Sequence, residues 1–164
     1  MRVILTSLLF APLLTGCASQ AQQAPKKVQP SAATQPTAAG PVIVFRKTPC
    51  FGTCPHYEAS IYADGRVSYE GFKYAPVEGK RELKMPVETV NTILAEAKAV
   101  RFTELREQYT LGTSDLPSTS LTITPRTGPA KTVTVEEGGP AELKNLLDYV
   151  QKQVEESLGA SATR

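Results

Sequence analysis

Tryptophan is absent from this 164-residue chain, histidine occurs once and cysteine three times. The eleven aromatic residues are five Phe and six Tyr, so the core rests on Val, Leu and Ile with help from those two. A single histidine forces any Ser-His-Asp or Cys-His site to use His56, and no carboxylate is placed beside it by spacing. Excess charge of one sign is also missing: 18 Lys and Arg face 16 Asp and Glu, a net +2. No basic stripe follows from that balance, which excludes nucleic acid as a partner. The uncharged run from Val3 to Leu14 falls short of the about 20 residues a membrane-spanning helix needs. What is there is ordinary globular material, 41% hydrophobic and 21% charged, enough for one domain.

The first forty residues read as an address. Met1-Arg2 supplies a positive charge, an apolar run follows, and small residues lead to Cys17, which is the layout of a secretory signal peptide. Leu14-Thr15-Gly16-Cys17 resembles the lipobox of bacterial lipoproteins. That resemblance implies removal of residues 1–16, a diacylglycerol on the Cys17 sulfur and acylation of its new amino group. Membrane attachment through Cys17 follows, nearly permanent because each buried methylene adds about 0.8 kcal/mol. Ala18, not Asp, follows the lipid site, and by resemblance to enterobacterial sorting this sends the chain to the outer membrane, facing the periplasm. Residues 17–40 form the lipidated linker, rich in Ala, Gln, Pro, Ser and Thr and without an aromatic residue. Such a segment cannot bury a core and is expected to be disordered. The 23 residues after Cys17 would span on the order of 25–30 Å as a flexible tether.

With Cys17 assigned to lipid, Cys50 and Cys54 remain as a pair, and an oxidising compartment makes a disulfide their default. The stretch Pro49-Cys50-Phe51-Gly52-Thr53-Cys54-Pro55-His56-Tyr57 lies between an apolar run, 42–45, and an alternating one, 57–63. A bond there pins a sharp bend between two strands, with Gly52 expected at positive φ and the prolines at strand ends. Closing so short a loop stabilises by about 2 kcal/mol. Two other chemistries stay open. Cys-x-x-x-Cys-Pro with His56 beside it resembles the motif of Sco-type copper proteins, and thiolates with an imidazole suit Cu(I). That family carries its motif before a helix, whereas a strand pattern follows here. A thiol redox switch is the other.

The rest of the chain alternates strands and helices. Asp64-Gly65 marks a hairpin. A three-residue loop, 63–65, with Gly65 as a left-handed bulge, pairs Ile61 with Val67, Ala59 with Tyr69 and Tyr57 with Gly71, which puts the apolar side chains on one face. Its flaw is Glu58 opposite Glu70. A charged edge strand follows at 80–84. Val87, Val90, Ile93, Leu94, Ala97 and Val100 recur at helical spacing over 86–101. Residues 102–118 read as irregular, with Phe102, Leu105 and Tyr109 covering an open end of the core. Strands follow at 120–124 and 131–136. A second helix opens at Gly139-Pro140 and carries the stripe Leu143, Leu146, Leu147, Val150 and Val154. The expected fold is α+β: a mostly antiparallel sheet of about five to six strands with two helices on one face. It occupies 41–158, and 159–164 form a disordered tail.

The run Pro-Cys-Phe-Gly-x-Cys-Pro-x-Tyr at 49–57, then Asp64-Gly65-x-Val67-x-Tyr69-x-Gly71, then Tyr109 with Asp115-Leu116-Pro117, resembles a bacterial family built on a domain of unknown function. Its members are exported proteins and predicted lipoproteins. The resemblance implies an α+β domain and no particular activity. No paired general acid and base is visible, and a hydrolase would rest on Asp115 alone. The sequence therefore points to a non-catalytic envelope lipoprotein that needs no cofactor and binds an envelope protein or a cell-wall component. His56, Tyr109 and Asp115 are its candidate binding residues. The alternative is periplasmic thiol or copper chemistry at Cys50, Cys54 and His56.

Overall fold

The computed structural model describes residues 40–162. The expected signal segment, Cys17 and the expected linker up to residue 39 lie outside them, as do residues 163 and 164. Seven strands form one sheet in the order β4-β3-β2-β1-β6-β7-β5. They are β1 (Ile43–Lys47), β2 (Tyr57–Ile61), β3 (Arg66–Gly71), β4 (Gly79–Lys84), β5 (Gln108–Tyr109), β6 (Thr119–Ile123) and β7 (Lys131–Val135). Helix α1 (Val87–Ala99) follows β4, and α2 (Ala141–Ala162) closes the chain. Every pairing is antiparallel except that of β5 with β7.

Period-two alternation decides which way each strand faces. Ile43 and Phe45 of β1, Tyr57, Ala59 and Ile61 of β2, Val67 and Tyr69 of β3, Leu121 of β6 and Val133 of β7 are buried on one side. Val90, Ile93 and Ala97 of α1 and the α2 stripe from Leu143 to Leu158 complete that core. Removing each of the Val, Leu, Ile and Phe side chains from water contributes about 1.5–3 kcal/mol. The opposite face carries short polar and charged side chains. Ser120 and Thr134 share a hydrogen bond of 2.9 Å there, and Thr122 and Thr132 one of 2.8 Å.

The β2–β3 hairpin has the register that face-matching demands, with Ile61 opposite Val67, Ala59 opposite Tyr69 and Tyr57 opposite Gly71. Gly65 takes φ +80, and the Asp64 carboxylate accepts from the Arg66 backbone at 3.0 Å and from its Nε at 2.8 Å. The hydrogen bonds from Arg66 hold the Asp64 carboxyl below its ordinary value. Glu58 does face Glu70. The repulsion is relieved sideways: Arg46 on β1 donates to Glu58, and Lys80 on β4 sits 3.8 Å from Glu70.

Three expectations change. The sheet has one strand more than expected, because Gln108–Tyr109 pairs with β7 inside the stretch read as irregular. Phe102 and Tyr109 are nonetheless buried as expected. The expected tail does not begin at 159: Ser157 and Leu158 are buried, and α2 runs on through Ala162, past the expected domain end at 158. Leu158 extends the apolar stripe by one more turn after Val154, and the Ser157 hydroxyl donates to the Gln153 carbonyl at 2.8 Å. Gly52 is not among the residues with positive φ; the covalent closure around it sets the turn.

Candidate functional site

One row of the sheet collects positions scattered through the sequence. Register aligns Gly79, Gly71, Tyr57, Lys47, Thr119, Val135 and Tyr109 across all seven strands. Beyond that row lie residues 48–56, 72–78 and 110–118, so Cys50, Cys54, His56 and Asp115 all sit on connections at one pole of the sheet. The chain enters β1 from the opposite pole, at Val42 and Ile43. The bend expected between strands is thus the connection of an antiparallel pair, β1 and β2.

The sulfurs of Cys50 and Cys54 are joined, with Cα atoms 5.6 Å apart. In this form no thiolate is present to ligate copper or attack a disulfide. Among the described residues, no three His, Cys, Asp or Glu side chains stand together as a metal set. The loop is tied at both roots. Thr48 donates its backbone N–H to the Ser118 carbonyl at 3.0 Å, and its hydroxyl accepts from the Ser118 N–H at 2.8 Å. On the other side the His56 carbonyl accepts from the Phe72 N–H at 2.8 Å, and the two rings stack with centroids 4.3 Å apart. Inside the ring, Gly52 donates to the Cys50 carbonyl at 2.8 Å. Phe51 is left 91% exposed.

Under the loop lies a polar cluster that the sequence reading missed. Lys47 continues the inward series of Ile43 and Phe45, and α2 passes over it. Its Nζ donates to Gln151 Oε1 at 2.8 Å, and Gln151 Nε2 donates to Glu155 Oε1 at 2.9 Å. Burial lowers the Lys47 ammonium from its ordinary value, against the opposing charges of Glu155 and Asp148. The Tyr57 hydroxyl is fully buried and has no hydrogen-bond partner of ordinary length. Burial first, and the neighbouring Glu155 charge second, raise it far above the ordinary tyrosine range. Tyr69 is raised by burial too, and donates to the Val77 carbonyl at 3.0 Å. The signal for Lys47 was present: a lysine two residues past Phe45 falls on the buried parity of its strand.

The three candidate binding residues fare differently. His56 is half-buried against Phe72. Tyr109 is a core residue, 6% exposed, with the Arg106 guanidinium 4.7 Å above its ring. Asp115 is exposed and holds a left-handed φ of +66. Among the described residues no hydrogen bond or ion pair joins Asp115 to His56. Away from this pole, α1 and α2 leave a groove of about 520 Å³ between them, floored by Ala99, Val100, Leu146 and Tyr149 and flanked by Glu96 and Glu142.

A one-sided α+β sheet domain whose cysteines are spent on a structural bond fits a non-catalytic role. The chain belongs to the DUF6438 family, a domain of unknown function whose family model matches residues 41–154. No curated protein and no solved structure matches the chain.

Proposed function

We propose that this chain is a lipid-anchored envelope protein whose folded domain binds a partner and catalyses nothing. The signal segment is removed before Cys17, acyl chains on Cys17 hold the protein at the outer membrane facing the periplasm, and residues 18–40 serve as a flexible tether. One observation carries the binding half of this reading. The pair Cys50–Cys54 is closed into a loop at the pole opposite to the one where the chain enters β1. A tether at one pole leaves the loop-bearing pole free to face outward. Among the titratable groups at that pole, the perturbed ones, Lys47, Tyr57 and Tyr69, lie beneath the loop against α2. Tyr57 is enclosed by packing, and Lys47 and Tyr69 are held by hydrogen bonds to Gln151 and Val77, rather than aimed at an open cleft, which is where a catalytic pair would stand.

Three measurements test the reading together. An intact mass of the mature protein should show acylation at Cys17 and two fewer hydrogens at Cys50 and Cys54. Cys17→Ser should leave the protein unacylated and release it from the membrane fraction. Thiol titration of protein taken directly from the periplasm should find no free thiol. One bound copper per chain, or two titratable thiols, would replace this reading by metal or redox chemistry at Cys50, Cys54 and His56.

A further inference from the structure

We propose that Phe51 is a preformed anchor that inserts into an uncharged apolar pocket on a partner protein. This rests on the binding role given above and names the residue and the partner chemistry. Phe51 adds nothing to the core: at 91% exposed it is the most solvent-facing large apolar side chain described. Yet the backbone of its loop is tied down. A covalent bond closes it, Pro49 and Pro55 flank it, and Thr48–Ser118 and His56–Phe72 fix its two roots. The rest of the domain does not need that constraint to hold Phe51 anywhere, since Phe51 packs on nothing in the core. What the constraint does is fix the backbone point from which one aromatic ring is presented to water. Such preorganisation lowers the ordering cost of binding, and it matters only against a partner of fixed shape. Exposed aromatic anchors that become fully buried are the side chains that dominate protein interfaces.

The chemistry of the loop selects the partner. Residues 48–56 contain no Lys, Arg, Asp or Glu. A lipid surface would reward basic side chains beside the ring and would gain little from a rigid loop, since a fluid bilayer has no shape to match. An acidic or basic partner site would leave its own charge unpaired against this loop. An apolar protein pocket satisfies both observations. On the neighbouring connection Phe72 and Tyr74 are 40% and 44% exposed, with the Lys73 ammonium 4.9 Å from the Tyr74 ring, so the apolar rim there carries one cation at its edge.

The experiment places a photoreactive benzophenone side chain at position 51 of the full-length chain in intact cells, with the same probe at Arg126 on the opposite pole as control. Illumination should give one discrete protein adduct at 51 and none at 126. That protein is identified by mass spectrometry, purified and titrated with the full-length chain. Phe51→Ala should weaken binding about 10- to 100-fold, the range expected when a buried Phe is truncated. Phe51→Leu should lose less. Adducts only to lipid, only to a second copy of the chain, or to nothing overturn the proposal, as does an affinity that Phe51→Ala leaves unchanged. The intact mass of the probe-bearing chain, which keeps Cys17, separates this from the anchoring claim: acylation at Cys17 with no protein adduct at 51 sinks the pocket alone, while a protein adduct at 51 on a chain whose Cys17 carries no lipid sinks the anchor alone.

Discussion

Removing the disulfide is the sharpest perturbation of the loop pole. Replace Cys50 and Cys54 together by Ala. The bond closes a ring from Cys50 to Cys54, and the chain-entropy relation for a loop this small assigns it about 2 kcal/mol, nearly all through the unfolded state. The native state should lose little, because the ring is not what holds the loop to the domain. Thr48 and Ser118 keep their hydrogen bonds of 3.0 and 2.8 Å, and His56 keeps its bond and its stack to Phe72. The five β1–β2 pairs lie outside the ring. For a folded domain of this size, a loss of about 2 kcal/mol lowers the thermal midpoint by about 6–10 °C. In urea it moves the midpoint down by about 1–2 M. Unfolding followed by circular dichroism measures both, and the reduced wild type should coincide with the double variant. A loss above about 4 kcal/mol would refute the reasoning, because it exceeds what closing a short loop supplies and would make the sulfurs part of the native packing. A loss near zero, with native protein reacting directly with a thiol reagent, would show that the sulfurs are not joined.

Other consequences follow from the same pole. At Gly71 a Cβ would fall onto the Val77 carbonyl and press on the Tyr69 hydroxyl at 2.9 Å. Gly71→Ala should therefore cost about 2–4 kcal/mol, from overpacking and the weakened Tyr69–Val77 bond, and a loss in urea below about 1 kcal/mol would mean that the 72–78 turn yields freely. Burial raises Tyr57 above its ordinary 10.0, so the folded state keeps a proton that the unfolded chain gives up. Stability is then whole below pH 10 and falls as pH climbs past it; Tyr57→Phe should flatten that alkaline fall. Lys47 acts in the other direction, since burial lowers it from 10.5: below that pH the unfolded chain takes up the proton more readily, so stability rises with pH towards 10.5. Lys47→Met should make the alkaline fall steeper, measured by urea midpoints from pH 8 to 11.

The sheet was legible wherever one parity of a strand is apolar. In β2 and β3 a one-residue slip would throw Ile61 and Val67 to the polar face, so the loop length followed from the pattern. The Glu58–Glu70 clash looked like a flaw because a hairpin shows only two strands. Its relief comes from Arg46 and Lys80, which belong to neighbours that only the folded order places alongside. Strand β5 was hidden for a similar reason: two residues carry no period, and their partner β7 arrives more than twenty residues later. Lys47 lies beyond the apolar run 42–45, and only its parity with Ile43 and Phe45 points inward. The gathering of Tyr57, Gly71 and Tyr109 in one row could not be read from spacing, since it depends on a strand order that runs outward from β1 in both directions.

That strand order separates two duties. The core lies between the sheet and the helices, and at the loop pole Tyr57, Tyr109 and, on the 72–78 connection, Ala75 and Val77 pack against it. Phe51 stands beyond all of them, so its free energy belongs to whatever it meets and not to folding. Phe51→Ser should then leave the thermal midpoint within about 1–2 °C of wild type, as surface substitutions away from special features do. Gly71→Ala, one connection away, should lower it by several times as much. If Phe51→Ser destabilised the domain as strongly as Gly71→Ala, the ring would be a packing element that solution conditions draw inward. The loop would then be part of the core's boundary, and a docking role for it would lose its physical ground.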